Sequence, residues 1–369
     1  MISWLKVGRI VGSGPTISDD TLTIPVCDYN QNYSYPDSLY VTNIDGLSPV
    51  EADISSTDIA NSDGTWFNLA RCGSRNIVIT MKLGSVYLGA ENSMSKNRAL
   101  VYKHFPVKKP VRLWLNTDLR YVYIDGYVES VQADYFGDME GIQVSIQAPE
   151  PYFYNAQISS YSFTFGAFPS ENVSNSAFMF PDEPFTSYVG ANGEVMASDF
   201  ACGFDSDEYG VIKMQKNTDI DCPIKLTIQD LSTKDHEASV TLTMYDETAL
   251  RNSLILDEIL CKKVLPADVD GWLSNTVIDS KNKTVNYMEG IVKHNLFGGI
   301  SNTYKDNIKT NVDNSRFVFS DWLEVKDSYI NKLKIKFTKE SDSSEYTYNS
   351  DEFNSVRFTI TPYIRYGGI

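Results

Sequence analysis

A chain of 369 residues with 42% hydrophobic content is too long for one ordinary core and long enough to bury two. Its formal net charge of −16 excludes an extended phosphate-binding surface, which requires clustered Lys and Arg, so no nucleic-acid partner is expected. The five cysteines, Cys27, Cys72, Cys202, Cys222 and Cys261, lack CxxC spacing and argue against both a disulfide framework and a structural zinc site.

Aromatic residues make up 12% of the chain, 23 of them Tyr, and this usage leans toward β-structure. The opening Met-Ile-Ser-Trp-Leu-Lys-Val-Gly-Arg has no long apolar run, so no secretory signal is expected. No segment approaches the roughly 20 apolar residues that cross a bilayer, so no membrane insertion is expected either. Without a secretory route, the sequons at Asn32, Asn172 and Asn282 read as chance. Gly12-Ser-Gly-Pro15 lacks the Lys-Ser/Thr of a phosphate loop and reads as a turn between the first two strands.

Gly46-Leu-Ser-Pro49 is a break, followed by the alternating Val50, Ala52 and Ile54. Asn61-Ser-Asp-Gly64 is a turn cluster. Residues 75–83 place Ile77, Ile79 and Met81 on one face of a strand. A short helix is predicted over 92–105, with Asn92 or Ser93 as cap and Pro106 as stop. Its apolar contacts are Met94, Leu100, Val101 and Phe105. Strands follow at 111–115, 121–131 and 141–146, and Asp125-Gly126 is either a turn or a bulge inside a bent strand. Pro149 and Pro151 bracket a break, so the expected domains are 1–150 and 151–369.

Beyond it, residues 155–200 show little periodicity. Then Ile224, Leu226 and Ile228 alternate, as do Val240, Leu242 and Met244. Leu333, Ile335 and Phe337 face one way and Lys332, Lys334 and Lys336 the other, and Val356, Phe358 and Ile360 form a matching strand. The pattern is that of antiparallel sheets with one wet face, stacked as a β-sandwich. The acid excess is larger in this half. It reads as ordinary solubility or as an acidic outer domain on a more neutral inner one.

Chemistry is sparse. His104, His236 and His294 lack HxH or HxxxH spacing, and there is no G-x-S-x-G elbow, so no catalytic residue, metal site or cofactor is expected. Asp205-Ser-Asp-Glu208 reads as a solvated turn more readily than as a calcium loop. Trp272 and Trp322 could stack on a sugar ring, although core or interface packing is the commoner use of such aromatics.

Several fragments together resemble the distal tail protein (Dit) family of long-tailed, non-contractile bacteriophages. They are Gly46-Leu-Ser-Pro49, Asp63-Gly64, Arg75-Asn-Ile-Val-Ile, the short helix, Leu119 to Glu129 and Ala148-Pro-Glu-Pro-Tyr-Phe153. Trp322-Leu, the strand at 331–337 and the closing Tyr366-Gly-Gly-Ile369 complete the set. Segments 155–215 and 262–320 depart from the family pattern, being longer and less regular. The resemblance implies a mainly β chain: a β-sandwich or split-barrel belt domain with one short helix, then a galectin-like β-sandwich. It implies a structural, non-enzymatic homohexameric ring at the virion tail tip, made in the host cytoplasm. Its implied partners are the major tail tube protein, the tail-associated lysin or fibre hub protein and a receptor-binding protein. Arg98, Tyr102 and Asp125 are the expected ring contacts, and Pro149, Pro151 and Tyr152 the inter-domain hinge. The alternative is an adhesin that binds host saccharide through the second domain, with Trp272 or Trp322 in contact. A hydrolase on a β-sandwich is the third and weakest alternative.

Overall fold

The computed structural model describes the chain except at residues 1, 12–15, 27–38, 60–62, 84–93, 135–140, 158, 165–179, 182–187, 190–194, 197–198, 207, 209, 231–237, 246–249, 261–270, 295–299, 306–316, 320–321, 327–329 and 340–355. The glycine-rich segment at 12–15, the helix caps Asn92 and Ser93, and His236 lie outside the described residues. The protein is mainly β. It divides into two compact units, Met1–Gln157 with Arg365–Ile369, and Ile158–Ile364. The division falls at 157/158, after Pro149 and Pro151. Residues 365–369 belong with the first unit because their backbone pairs there.

In the first unit the strands are β1 (Ile2–Ile10), β2 (Ile17–Pro25), β3 (Leu39–Asp45), β4 (Ala52–Asp58), β5 (Thr65–Cys72), β6 (Arg75–Leu83), β7 (Pro110–Thr117), β8 (Tyr121–Ala133), β9 (Gly141–Ala148) and β10 (Phe153–Asn155). The helix α1 (Met94–His104) precedes β7. One antiparallel sheet runs β2-β1-β7-β8-β9-β6-β3. Its end strands meet at a single bridge, Val26 to Val41, so the sheet is split and no closed barrel exists among the described residues.

Strict alternation sets the buried face: Ile77, Ile79 and Met81 on β6 pair in register with Ile146, Val144 and Ile142 on β9, and all are buried. Helix α1 covers this core with Val101, and Phe105 just beyond it is also buried, while Met94 and Leu100 are only half-buried. Lys103 and His104 in its last turn suit the negative end of the helix dipole. Asp125 and Gly126 sit inside a continuous β8, and the bulge lies further on, between Val128 and Ser130. Gly126 is required there, because a Cβ would lie 2.6 Å from the Ile146 side chain.

The second unit adds β11 (Tyr161–Thr164), β12 (Tyr188–Val189), β13 (Val195–Met196), β14 (Phe200–Phe204), β15 (Val211–Lys216), β16 (Cys222–Asp230), β17 (Ala238–Tyr245), β18 (Leu250–Leu260), β19 (Gly271–Asp279), β20 (Thr284–His294), β21 (Ile300–Lys305), β22 (Phe317–Phe319), β23 (Glu324–Val325), β24 (Asn331–Lys339) and β25 (Val356–Pro362). One sheet runs β11-β25-β16-β19-β20-β21, with β23 on β16; the other runs β14-β15-β24-β17-β18-β22. Their inner faces interdigitate through aromatic rings. Phe163 stacks on Phe358 at 5.5 Å, and Phe358 meets Phe337 edge-on at 6.1 Å. The two alternating strands expected to share a sandwich, β24 and β25, therefore belong to opposite sheets. Segment 262–320, irregular by sequence, contains the adjacent strands β19, β20 and β21.

Candidate functional site

A prominent surface of the first unit is the hairpin β4–β5, which among the described residues pairs only with itself. Gly64, at φ 104°, serves its turn. Ser55 lies opposite Leu69, Ser56 opposite Phe67 and Thr57 opposite Trp66, with a bulge between Ser55 and Ser56, so Ile54 and Phe67 share one face and Trp66 and Leu69 the other. All four are exposed: Ile54 by 63%, Trp66 by 67%, Phe67 by 66% and Leu69 by 53%. An isolated two-stranded ribbon is marginal in water, and large apolar side chains exposed on both faces are a common feature of interaction surfaces. The sequence signal was Trp66-Phe-Asn-Leu69, where large apolar residues fall on both faces of the strand instead of one.

Tyr102 is exposed on α1, and the Arg98 guanidinium reaches Ser95 Oγ at 3.5 Å. Asp125 is engaged within its own unit. Arg112 donates to its two carboxylate oxygens from Nε at 2.6 Å and Nη2 at 2.7 Å, and lies 4.0 Å over the Tyr123 ring. In the last turn of α1, Lys103 donates to Asp20 at 2.8 Å. That bond, together with His104, holds the Asp20 carboxyl below its ordinary range against the opposing effect of desolvation.

Arg75 opens β6 and is buried, and burial lowers the proton affinity of its guanidinium. It donates from Nε to the Pro151 carbonyl at 2.7 Å and from Nη1 to those of Gly46 at 2.5 Å and Ser48 at 2.6 Å. Its Nη2 donates to the carbonyl of Gly367. Phe153 lies beneath the guanidinium at 4.6 Å. One cation thus ties together the 46–48 turn, the segment leaving the first unit and the segment returning to it. Gly46 adopts φ 86° there, and a Cβ at Gly368 would lie 2.7 Å from the Pro49 ring. Pro149 and Pro151 sit next to this clasp, and Tyr152 lies under the Arg365 guanidinium at 5.1 Å. Sequence reading did not find Arg75's role, because its partners are backbone carbonyls scattered along the chain.

In the second unit the carboxylates of Asp205 and Glu208 are taken up by lysines. Asp205 receives Lys213 at 2.8 Å and Lys332 at 2.9 Å, and Glu208 receives Lys334 at 3.0 Å and the Tyr245 hydroxyl at 2.8 Å. Among the described residues no three His, Cys, Asp or Glu side chains are grouped to hold a metal ion. Trp322 is half-buried beside Lys283 and Glu324. Trp272 lies on β19 opposite Ile291, and its side chain falls outside the described residues.

No protein-family model and no curated protein matches the chain. The fold does match solved structures. The crystal structure of the Dit (gp 19.1) protein of phage SPP1, described as a paradigm of the hub adsorption apparatus in phages infecting Gram-positive bacteria, aligns over 97% of this chain and 98% of that one. The TM-score is 0.50 and the identity 10%, so the likeness is one of fold. A chain of the phage p2 baseplate in its activated conformation aligns over 98% of both at a TM-score of 0.36 and 11% identity, too low to carry an argument.

Proposed function

We propose that this chain is a structural, non-catalytic hub component of a bacteriophage tail, located at the tail tip of the virion. The observation that carries this reading is the fold it shares with the SPP1 hub protein along nearly the full length of both chains. In the finer form of the proposal, the first unit is a belt domain, six copies of which close into a ring. The ring joins the tail tube to the tail-associated lysin or fibre protein. The second unit is a galectin-like sandwich facing outward and serving receptor-binding proteins.

The hairpin β4–β5 supports ring formation. A cyclic ring needs a heterologous contact, in which one patch of each copy meets a different patch of the next. An arm apolar on both faces fits that geometry, and its occupant here is a second copy of the chain. Arg98 and Tyr102 stand as additional ring contacts, Asp125 as a scaffold for its own strand pair.

Mass photometry and negative-stain imaging of the purified protein test the reading. Hexamers with a central opening are expected. A monomer at every concentration, with no ring on adding tail-tube or hub protein, would overturn it.

A further inference from the structure

Two stretches of the first unit carry opposite charge. Residues 92–117 hold Lys96, Arg98, Lys103, Lys108, Lys109 and Arg112 and no Asp or Glu. Residues 45–70 hold Asp45, Glu51, Asp53, Asp58 and Asp63 and no Lys or Arg. The basic stretch contains α1, the turn after it and β7. The acidic one runs from the end of β3 through most of the β4–β5 hairpin. A net charge of −16 makes the basic stretch the exception in this chain.

Both stretches also expose apolar side chains. Spacings of three, four and seven residues gather Lys96, Arg98, Ala99, Tyr102 and Lys103 on the outward side of α1, away from the buried Val101 and His104. The turn beyond the helix carries the exposed Val107, Lys108 and Lys109. The Lys108 N–H donates to the Val128 carbonyl at 2.8 Å, and the Val128 N–H donates to the Lys109 carbonyl at 3.2 Å. These bonds fix the turn beside the exposed Tyr127. Lys108 keeps φ 66°, a left-handed conformation that Gly or Asn adopts more easily. Within the stretch Lys103 is engaged by Asp20 and Arg112 by Asp125, while Lys96, Lys108 and Lys109 are exposed. On the hairpin Asp53 lies 3.7 Å from Arg71, and Glu51, Asp58 and Asp63 are exposed around Ile54, Trp66, Phe67 and Leu69.

The charges decide which surfaces of two copies can meet. Apolar side chains alone would let two hairpins pair with each other as an isologous dimer. Two hairpins bring acid against acid, and two helices bring base against base, so both symmetric contacts are disfavoured. Only hairpin against helix brings opposite signs together, and that contact is heterologous, as a ring requires. Charges at physiological salt are screened beyond about 8 Å, so this selection acts where the surfaces touch.

We infer that the β4–β5 hairpin of one copy docks on the surface that α1 and residues 107–109 form on the next. Tyr102, Val107 and Tyr127 receive the apolar side chains of the hairpin, and Lys96, Lys108 and Lys109 face Glu51, Asp58 and Asp63. The inference rests on the ring reading and adds to it the receiving surface and the charge pattern that excludes a hairpin-to-hairpin dimer.

Charge exchange in the full-length protein tests it. Glu51→Lys with Asp58→Lys reverses the arm, and Lys96→Glu with Lys109→Glu reverses the receiving surface. All four positions are exposed, so melting temperatures should stay at the wild-type value. Each double variant alone should lose ring particles about tenfold in mass photometry. An equimolar mixture of the two should recover rings, because alternating copies again set acid against base at every contact. The chain that carries all four substitutions should form rings by itself. Rings at wild-type abundance in each double variant, or a mixture that stays unassembled, overturn the inference and leave the ring reading standing. A wild-type protein that forms no ring overturns the ring reading and this inference with it.

Discussion

The guanidinium of Arg75 donates to the carbonyl of Gly367, joining residues separated by the whole of the second unit. With Gly46, Ser48 and Pro151 as its other acceptors, the buried guanidinium finds partners for donors that would otherwise be desolvated and unpaired, and it holds three separate segments together. Arg75→Ala is expected to cost on the order of 3 kcal/mol or more in denaturant unfolding of the first unit. Arg75→Lys should recover little of it, because an ammonium cannot present a planar fork to carbonyls on several sides. An unchanged unfolding midpoint for Arg75→Ala would contradict this account.

Ending the chain at Ile364 removes the pairing of Phe153 and Tyr154 with Tyr366 and Arg365, along with the Gly367 acceptor. The truncation is expected to destabilise the first unit. Its effect should be less than additive with that of Arg75→Ala, since both break the same clasp. A double-mutant cycle that sums to zero coupling would separate the two.

Trp66→Ser combined with Phe67→Ser changes one exposed apolar side chain on each face of the β4–β5 hairpin. Stability of the isolated chain should shift by about 0.5 kcal/mol or less, as for other surface changes. The proportion of ring particles in mass photometry should collapse. Rings at wild-type abundance would remove the hairpin from the interface.

Tyr154 predicts the alkaline limit of the first unit. Burial, and then the adjacent Glu150 carboxylate that accepts its hydroxyl, push its ionisation far above the ordinary 10.0. A raised folded value stabilises the native state below the unfolded value, and that stability is lost as pH climbs past 10. The unfolded chain then sheds a proton that the folded chain keeps, at about 1.4 kcal/mol per pH unit. Tyr154→Phe should flatten the decline in unfolding free energy between pH 10 and 11. Parallel declines in both proteins would exclude Tyr154 as the cause.

Glu208 acts at the opposite limit. Desolvation would raise its pKa, but the Lys334 ammonium and the Tyr245 hydroxyl outweigh it and hold the carboxyl below its usual 4.5. The stabilisation is present above that value and is lost as pH falls through the lowered folded value. Glu208→Gln should therefore be less sensitive to acid than the wild type below pH 4.5 in circular-dichroism titrations.

Much of this architecture was legible wherever one face of a strand is dry. Ile77-Val-Ile-Thr-Met81 and Leu333-Lys-Ile-Lys-Phe337 alternate because a core lies under one side only, and both are strands with those faces buried. The helix was legible from its periodicity and from the proline that stops it. Strands β19 to β21 were not, because Gly271-Trp-Leu-Ser-Asn and Asn286-Tyr-Met-Glu-Gly mix apolar and polar residues without period. The hairpin β4–β5 was half-legible: Ala52 and Ile54 alternate as in a core strand, yet among the described residues both are exposed. Trp322 was picked out from residue type alone. The Arg75 clasp is illegible in principle from residue types, since every acceptor in it is backbone.

The return of residues 365–369 to the first unit also orders events during synthesis. Domains generally fold as they leave the ribosome, and one complete in residues 1–157 could do so while the remainder was still being made. Here the edge beside Phe153 stays unpaired, and the Arg75 fork one acceptor short, until residues 158–364 have been translated. A nascent chain thus carries the sticky hairpin before its own scaffold is finished, and a polypeptide interrupted within the second unit never supplies the closing strand. The first unit is therefore completed only by chains that have been read through both units.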